Sequence, residues 1–525
     1  MSALACRLPN PFAPADQAYE KMTTFLCGEA SQLSHSDLER QLGAMGQDLL
    51  RKLMQAHLEM RQPGQAQEPV RDAAGTTLKP TQVHTRSLET VFGTVEVGRT
   101  GYSAAGKKSS LHPLDAALNL PDEKYSLEVR RRVAIEASKA SFDDGVETLE
   151  KFTGAHVPKR QFEQLTIRAA RDFEAFYAER QKSACADQQT DSILVLTVDG
   201  KGVTMLDQDL REPTRRAAAE RENNFTSRLG RGRRLNAKRM ASVAAIYAVE
   251  PFVRTPEQVL PEQKPQEVAI RPRPEQKRVW ASLARSAQEV ITAMFEEAVY
   301  RDPKGQKCWV ALVDGNETQI RLVEQLAKER NLTVPIVVDF IHVAEYVWEA
   351  AKALFPDDKK KQDSWVLKHM REILRGKATN VAAGIRRSAT FRKMGSAERK
   401  PVDACANYLH KYEPYLHYEE ALKKGLPIAT GVIEGACGYL VEARMNRSGA
   451  SWSLTGAEAV LRLRALRASG DFDQYWEFHE NQEYQRNHAA NYADQNVPKV
   501  VPPPAPSSNT KRPPALKIIK KYGES

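Results

Sequence analysis

Ile193-Leu194-Val195-Leu196-Thr197-Val198-Asp199-Gly200 decides how the rest of this chain is read. A near-continuous apolar run of this length reads as a strand buried on both faces, the pattern of a sheet covered by helices on each side. It stops at a carboxylate and a glycine, which puts Asp199 at the rim of the sheet. The pattern returns in Cys308-Trp309-Val310-Ala311-Leu312-Val313, which stops at Asp314-Gly315. Later, Thr430-Gly431-Val432-Ile433 leads into Glu434 at the head of a helical pattern. In open α/β sheets the carboxyl ends of strands are where ligands bind. Asp199, Asp314 and Glu434 together form the oxygen donor set that a pair of Mg²⁺ ions needs for phosphoryl transfer.

Outward from this stretch the chain alternates strand and helix. Val203-Thr204-Met205-Leu206 is expected to fold back on the strand that ends at Asp199, and Ser242–Val249 supplies a third strand. A helix is expected over 274–300, then the strand ending at Asp314, then a helix through Ile320, Leu322, Val323 and Leu326. Val334-Pro335-Ile336-Val337-Val338 leads to Asp339 as a further strand. Residues 343–423 are helical in pattern and rich in Lys and Arg. This order resembles an RNase H-like core, spanning 190–342 and 424–480, with 343–423 as a helical insertion.

Upstream, residues 1–66 are mainly helical, with Leu38, Leu42, Met45, Leu49, Leu53 and Met54 at helical spacing. Residues 67–82 are polar and linker-like. Val91-Phe92-Gly93-Thr94-Val95-Glu96-Val97 carries a hairpin signal, so a small β-rich segment is expected over 83–120. Residues 121–185 return to helices. A short helix through Phe142, Val146, Leu149 and Phe152 precedes Gly154, and Pro158 suits the first turn of the next helix. This sequence of elements is helix-turn-helix-like, with Lys159, Arg160 and Gln164 as groove-facing candidates. A plain three-helix bundle shares the same signature.

The chain has 525 residues, a formal charge of +10 and a pI near 9.1. Its length suits roughly two to four domains, and its charge favours a polyanionic partner. No apolar stretch approaches a membrane span and no signal pattern opens the chain, so a cytoplasmic protein working on nucleic acid is expected. Arg211 to Arg239 is dense in arginine, including Arg231, Arg233 and Arg234; such a run is either a solvated face or a contact to the DNA backbone. Six scattered cysteines without a C-x-x-C pair argue against a disulfide framework or structural zinc. The tail over 496–525 is basic and Pro-rich and is expected to be disordered.

Each site residue also has a bland reading. A single Asp-Gly after a strand is commonly a turn, and a His near an apolar run, such as His342, is commonly a satisfied structural group. Asp339 could replace Asp314 as a metal ligand or hydrogen-bond within the site beside His342. Glu442, eight residues after Glu434, lies about 12 Å along a helix axis at ~1.5 Å per residue. It cannot serve the same metal pair.

Val198-Asp199-Gly200, Val313-Asp314-Gly315-Asn316, Val338-Asp339-Phe340-Ile341-His342-Val343 and Gly431-Val432-Ile433-Glu434-Gly435-Ala436 together resemble the motif series of DDE transposases of bacterial insertion sequences. Arg444-Met445-Asn446-Arg447-Ser448-Gly449, Trp452, Gly456-Ala457 and Leu461–Ala465 extend the resemblance toward the Kra-type family of the Mutator-like superfamily, over about 80–480. Thr430-Gly431 stands where that family commonly has Ser-Gly. The resemblance implies an α/β RNase H-like catalytic domain with a helical insertion, preceded by a mainly α N-terminal region with a hairpin sheet and a helix-turn-helix-like segment. It implies Asp199, Asp314 and Glu434 as catalytic and metal-binding residues holding two Mg²⁺ or Mn²⁺ ions, with Asp339 and His342 accessory. It also implies that Arg444 and Trp452 contact DNA, that terminal inverted repeats and target DNA are the partners, and that the protein works as a homodimer or higher assembly on bacterial, nucleoid-associated DNA. The reaction implied is cleavage at element ends followed by strand transfer. The rival readings are an RNase H-fold nuclease that cleaves without joining, and a catalytically silent DNA-binding protein derived from a transposase.

Overall fold

The structure, a computed structural model, describes residues 10–106, 110–182, 192–219, 236–261 and 270–501. Arg231, Arg233 and Arg234 lie outside these residues, as does the tail beyond 501. The chain divides into two compact units, residues 1–132, 146–158 and 480–525 in the first, and 133–145 and 159–479 in the second.

In the first unit, helices Ala13–Cys27 and His35–Met60 precede an antiparallel hairpin of β1 (Lys79–Thr90) and β2 (Gly93–Ser103). Ser34 caps the longer helix by accepting the Asp37 N–H. Gly93 closes the hairpin at φ +113°, a conformation that L side chains rarely adopt. The apolar face of the hairpin buries Leu88, Val95 and Val97 with Leu114 and Leu120, and Met54 and Leu58 of the long helix pack against them. Strand β1 starts earlier than the hairpin signal suggests, because Val70 and Leu78 are buried with Tyr102 and draw the linker-like stretch into the fold. Residues 496–501 depart from the expected disorder. The Gln67 N–H donates to the Lys499 carbonyl and the Val501 N–H to the Gln65 carbonyl, both at 2.8 Å, so backbone pairing holds this segment where composition alone suggested none.

The second unit is mixed α/β. Its sheet contains β3 (Ile193–Thr204), β4 (Lys238–Val249), β5 (Glu275–Ser282), β6 (Cys308–Val313) and β7 (Ile336–Val338), in the order β5-β4-β3-β6-β7. Strands β3, β4 and β5 are antiparallel; β6 and β7 run parallel to β3. Strand β3 reads as a continuous apolar run because Ile193, Leu194, Val195, Leu196 and Val198, from both of its faces, are all buried in one cluster, while Val243, Ala245, Val279 and Ala281 of β4 and β5 join another.

Two elements differ from expectation. Strand β3 does not stop at Asp199 and fold back. It continues through Gly200 and Gly202 to Thr204, paired with β4 throughout, including Asp199 with Val243. Its parallel pairing with β6 ends at Thr197 and Leu312, so Asp199 still lies where one side of the strand is open. Residues 275–282 form edge strand β5, not the start of a helix; the helix is Ala287–Arg301, with Ser286 and Glu289 forming its capping box. Arg278 gives β5 a polar appearance, yet it is buried against Glu297, with its guanidinium 3.5 Å from the Tyr177 ring centroid. The segment between β7 and Glu434 folds as helices Phe340–Leu354, Lys359–Leu374, Ala378–Phe391, Ser396–Lys411 and Tyr418–Lys423. Among the described residues, no helix is long and apolar enough to cross a membrane.

Candidate active site

Asp199, inside β3 where its pairing with β6 has stopped, Asp314 and Asp339, just beyond β6 and β7, and Glu434, on helix Gly431–Ala436, lie near enough for their charges to act on one another. Half-buried Asp199 accepts the Gly200 N–H at 2.5 Å on Oδ1, and its Oδ2 accepts the Cys437 thiol at 3.2 Å. Cys437 follows Glu434 by one helical turn, so both present to the same face. Burial first, and then Asp199, raise the Cys437 pKa, which keeps the thiol a donor.

Asp314 is half-buried just beyond β6. Its Oδ1 accepts the Asn316 N–H at 3.0 Å, and Asn316 in turn caps helix Glu317–Glu329 through the N–H groups of Thr318 and Gln319. Gly315 sits at φ +95°, and a Cβ there would lie 2.7 Å from the Tyr408 hydroxyl. The Tyr408 hydroxyl donates to the Asp314 carbonyl at 3.1 Å, and the Tyr412 hydroxyl donates to the Gly315 carbonyl. A third phenol, Tyr418, donates to the Val338 carbonyl at 2.7 Å, one residue before Asp339. All three tyrosines come from the inserted helical segment, Tyr412 as the residue that ends helix Ser396–Lys411.

Asp339 is only 1% exposed. It caps helix Phe340–Leu354 by accepting the Ile341 N–H at 2.9 Å on Oδ1, and its Oδ2 accepts the Thr430 hydroxyl. Thr430 has one proton to give, and its 3.4 Å approach to Glu434 Oε1 is the longer of its two carboxylate contacts. His342 lines the open cleft beside Asp314, edge-on to the Tyr346 and Tyr408 rings, with Nδ1 3.2 Å from Glu345.

The electrostatics join these groups. Burial and then Asp199 raise the Asp314 pKa. Burial and then Asp339, with Asp199 contributing, raise that of Glu434. Among the described residues, none of the four carboxylates forms an ion pair; the nearby Lys201 is held by Glu442 at 2.7 Å. Glu442 thus has its own partner, apart from Glu434. Asp199, Asp314 and Glu434 do not form a tight single-ion cluster with ligand atoms all within 4.8 Å of one another. A two-ion site does not require one. Ions about 3.5–4 Å apart, each about 2.1 Å from its oxygens, accept outer ligands up to about 8 Å apart. The donors here are hard oxygens with a surplus of negative charge, which fits Mg²⁺ or Mn²⁺ chemistry. Among the described residues, the Cys437 thiol is the soft group beside them.

The nucleic-acid candidates divide. Helix Lys159–Ala169 buries Phe162, Leu165, Thr166 and Ala169 and leaves Lys159, Arg160 and Gln164 exposed on its other side, with Lys159 paired to Asp143 at 2.7 Å. Arg444 and Trp452, expected as DNA contacts, are each only 6% exposed. Trp452 donates its indole N–H to the Met445 carbonyl at 3.0 Å, and the Arg444 guanidinium lies beside the edge-on pair of Phe142 and Trp452 rings, 5.0 and 4.7 Å from their centroids. Packing of Phe142 against both side chains explains this burial. The residues missed in the sequence are Cys437, Thr430, Tyr408, Tyr412 and Tyr418. Cys437 had a signal in its spacing from Glu434; the tyrosines had none.

No protein-family model matches the chain, and no curated protein matches it. Among solved structures, the chain is similar to the Drosophila P element transposase strand transfer complex, at 10% identity over 71% of this chain and 84% of that one, with a TM-score of 0.23. That score is too low to argue from.

Proposed function

We propose that this protein is a DDE-type DNA transposase with an RNase H-like catalytic domain, and that Asp199, Asp314 and Glu434 hold its two divalent ions. The observation that carries this reading is the gathering of four carboxylates at the open strand ends without a paired cation, with Asp314 and Glu434 both raised in pKa by burial and by their acidic neighbours. Uncompensated like charge of this kind destabilises a fold unless a cation relieves it. The mixed five-strand sheet, with three antiparallel strands followed by two parallel ones, supports the RNase H-like reading.

Asp314 is the better second ligand. Its Oδ1 takes the Asn316 N–H and the residue lines the open cleft, whereas the buried Asp339 has both oxygens engaged by the Ile341 N–H and the Thr430 hydroxyl. Asp339 then acts as a positioning residue that keeps Thr430, and with it the head of the Glu434 helix, against the sheet. Divalent ions bound here would supply charge stabilisation for an in-line displacement at phosphorus. The chain's own part is to fix the carboxylates, and the thiol of Cys437 holds the Asp199 carboxylate in orientation.

The test is cleavage of duplex DNA carrying the inverted repeats that flank the gene, followed by joining of pre-cleaved ends. Asp199→Ala and Glu434→Ala should remove Mg²⁺-dependent cleavage while DNA binding persists. Full cleavage by either variant refutes the site, and cleavage without joining by the unaltered protein turns the reading to a nuclease.

A further inference from the structure

Helices Ala378–Phe391 and Ser396–Lys411 lie side by side, with Arg386 donating to Asn407 and Arg399 donating to the Thr390 hydroxyl at 3.1 Å nearer the turn that joins them. Away from that turn, Ala404, Asn407 and Lys411 line the cleft beside Asp314. The turn itself is pinned. Met394 packs on the core, the Gly395 N–H donates to Glu398 at 3.2 Å, and Arg392 donates to the Leu354 carbonyl at 3.1 Å with its guanidinium 4.4 Å from the Phe355 ring centroid. Phe391 stands on this pinned turn with 83% of its surface exposed. At about 100° per residue it lies about 200° around the helix from buried Ala389, so it points outward, on the same face as Arg387 one turn back. Six cations, Arg386, Arg387, Arg392, Lys393, Arg399 and Lys400, occur in residues 386–400 against Glu398 alone. Arg399 is paired with Asp403 at 2.9 Å. Among the described residues, no carboxylate pairs with Arg387, Lys393 or Lys400, and all three are exposed. Lys393 keeps its β-carbon at φ +52°, a left-handed conformation that helix ends usually give to glycine or asparagine. The turn thus retains a cation where glycine would sit more easily.

A single exposed apolar side chain is ordinary. One held out from a pinned turn among unpaired cations has the chemistry of groups that enter a duplex, where cations take the phosphates and an apolar wedge unstacks a base step. We infer that this turn is a docking surface for duplex DNA, with Arg387, Lys393 and Lys400 on backbone phosphates and Phe391 set against the bases. Charge selects the partner: an excess of positive charge over these residues repels a second copy of a chain that is itself +10 and attracts a polyanion. The inference rests on the nucleic-acid part of the function proposed above and on none of its catalytic residues. From Arg386, whose partner Asn407 lines the cleft, to Phe391 the helix rises about 7.5 Å, about two base-pair steps. A duplex with its reacting phosphate at the carboxylates therefore meets this turn a few base pairs away.

The test uses the full chain and a thymine-containing duplex of random sequence in the presence of a chelator, so that no cleavage intervenes. Binding is titrated at several salt concentrations, and permanganate, which attacks unstacked thymines, reports base stacking in the complex. Arg387→Gln with Lys393→Gln and Lys400→Gln should bind at least roughly tenfold more weakly, and the slope of log K against log salt should fall by about three. Phe391→Ala should keep the slope, bind about tenfold more weakly and lose the permanganate-reactive thymines of the unaltered complex. Phe391→Leu, which is also a wedge, should keep both affinity and reactivity. The substituted side chains are exposed, so all these variants should melt with the unaltered protein. Unchanged affinity and slope in the triple variant overturn the docking surface, and full affinity and thymine reactivity in Phe391→Ala overturn the wedge. Asp199→Asn should match the unaltered protein in every one of these measurements. Loss of cleavage with binding intact thus refutes only the catalytic reading, and intact cleavage with unmoved surface variants refutes only the docking surface.

Discussion

Strands β6 and β7 end alike and their aspartates do different work. Each strand is short, apolar and parallel, and each runs into an Asp followed by a helix. After β7 the aspartate is itself the helix cap, so Asp339 is buried and both its oxygens are used. After β6, Gly315 and Asn316 stand between the aspartate and the helix. Asn316 does the capping, and Asp314 keeps an oxygen for another partner. A two-residue offset thus separates a buried helix-capping carboxylate from a half-buried one that leaves the capping to Asn316, although the apolar pattern in front of both is the same.

Substitutions at the two aspartates probe this contrast most strongly. Asp314→Ala should lower Mg²⁺-dependent cleavage by about 10³-fold or more, with the fold intact. Asp339→Ala should instead act on stability. It removes a helix cap and strands the Thr430 hydroxyl, at a cost of about 2 kcal/mol in chemical denaturation. Equal activity losses in two well-folded variants would erase the distinction. The clamp on Asp314 comes next. Tyr408→Phe with Tyr412→Phe removes two hydroxyl donors and keeps the rings. Cleavage should fall about tenfold, with a higher Mg²⁺ concentration needed for half-maximal rate. A fall in stability with an unchanged Mg²⁺ dependence would make the phenols purely structural.

The smallest effect concerns pH. Burial and Asp199 raise the Asp314 pKa in the folded protein. The folded state therefore holds that proton more tightly than the unfolded chain does. This contribution to stability is fully present below the ordinary carboxylate pKa and is lost as pH rises through the raised one. Metal-free Asp314→Asn should accordingly melt above the unaltered protein at neutral pH, and the advantage should vanish in acid below the ordinary carboxylate range. Added Mg²⁺ should raise the Tm of the unaltered protein and leave that of the variant unmoved.

The central strands and the carboxylates were legible because burial on both faces leaves a local trace, a run of Val, Ile, Leu and Ala that ends at a charge. Strand β5 left no such trace. Glu275, Gln276, Lys277 and Arg278 open it, and Arg278 is buried only because Glu297 and Tyr177 meet it from other elements. Asp199-Gly200 suggested a turn, but the partner residues Met240 to Ser242 on β4 decide that β3 runs on. The expectation that Arg444 and Trp452 contact DNA comes only from the family resemblance, and packing against Phe142 hides both. The phenol contacts join residues about as far apart in sequence as an entire small domain, a distance over which no pattern in the chain carries information.

The three phenols also bear on how this protein could be trimmed. The helices between β7 and Glu434 look detachable, a long excursion whose ends return to neighbouring positions. Yet Tyr408, Tyr412 and Tyr418 hold the carbonyls of Asp314, Gly315 and Val338 from within that excursion. A shortened chain that splices β7 directly to the Glu434 helix would hand these carbonyls to solvent at the sheet edge. Minimisation and domain exchange must therefore carry the excursion along, since it forms the outer half of the mould in which the β6 and β7 ends are set.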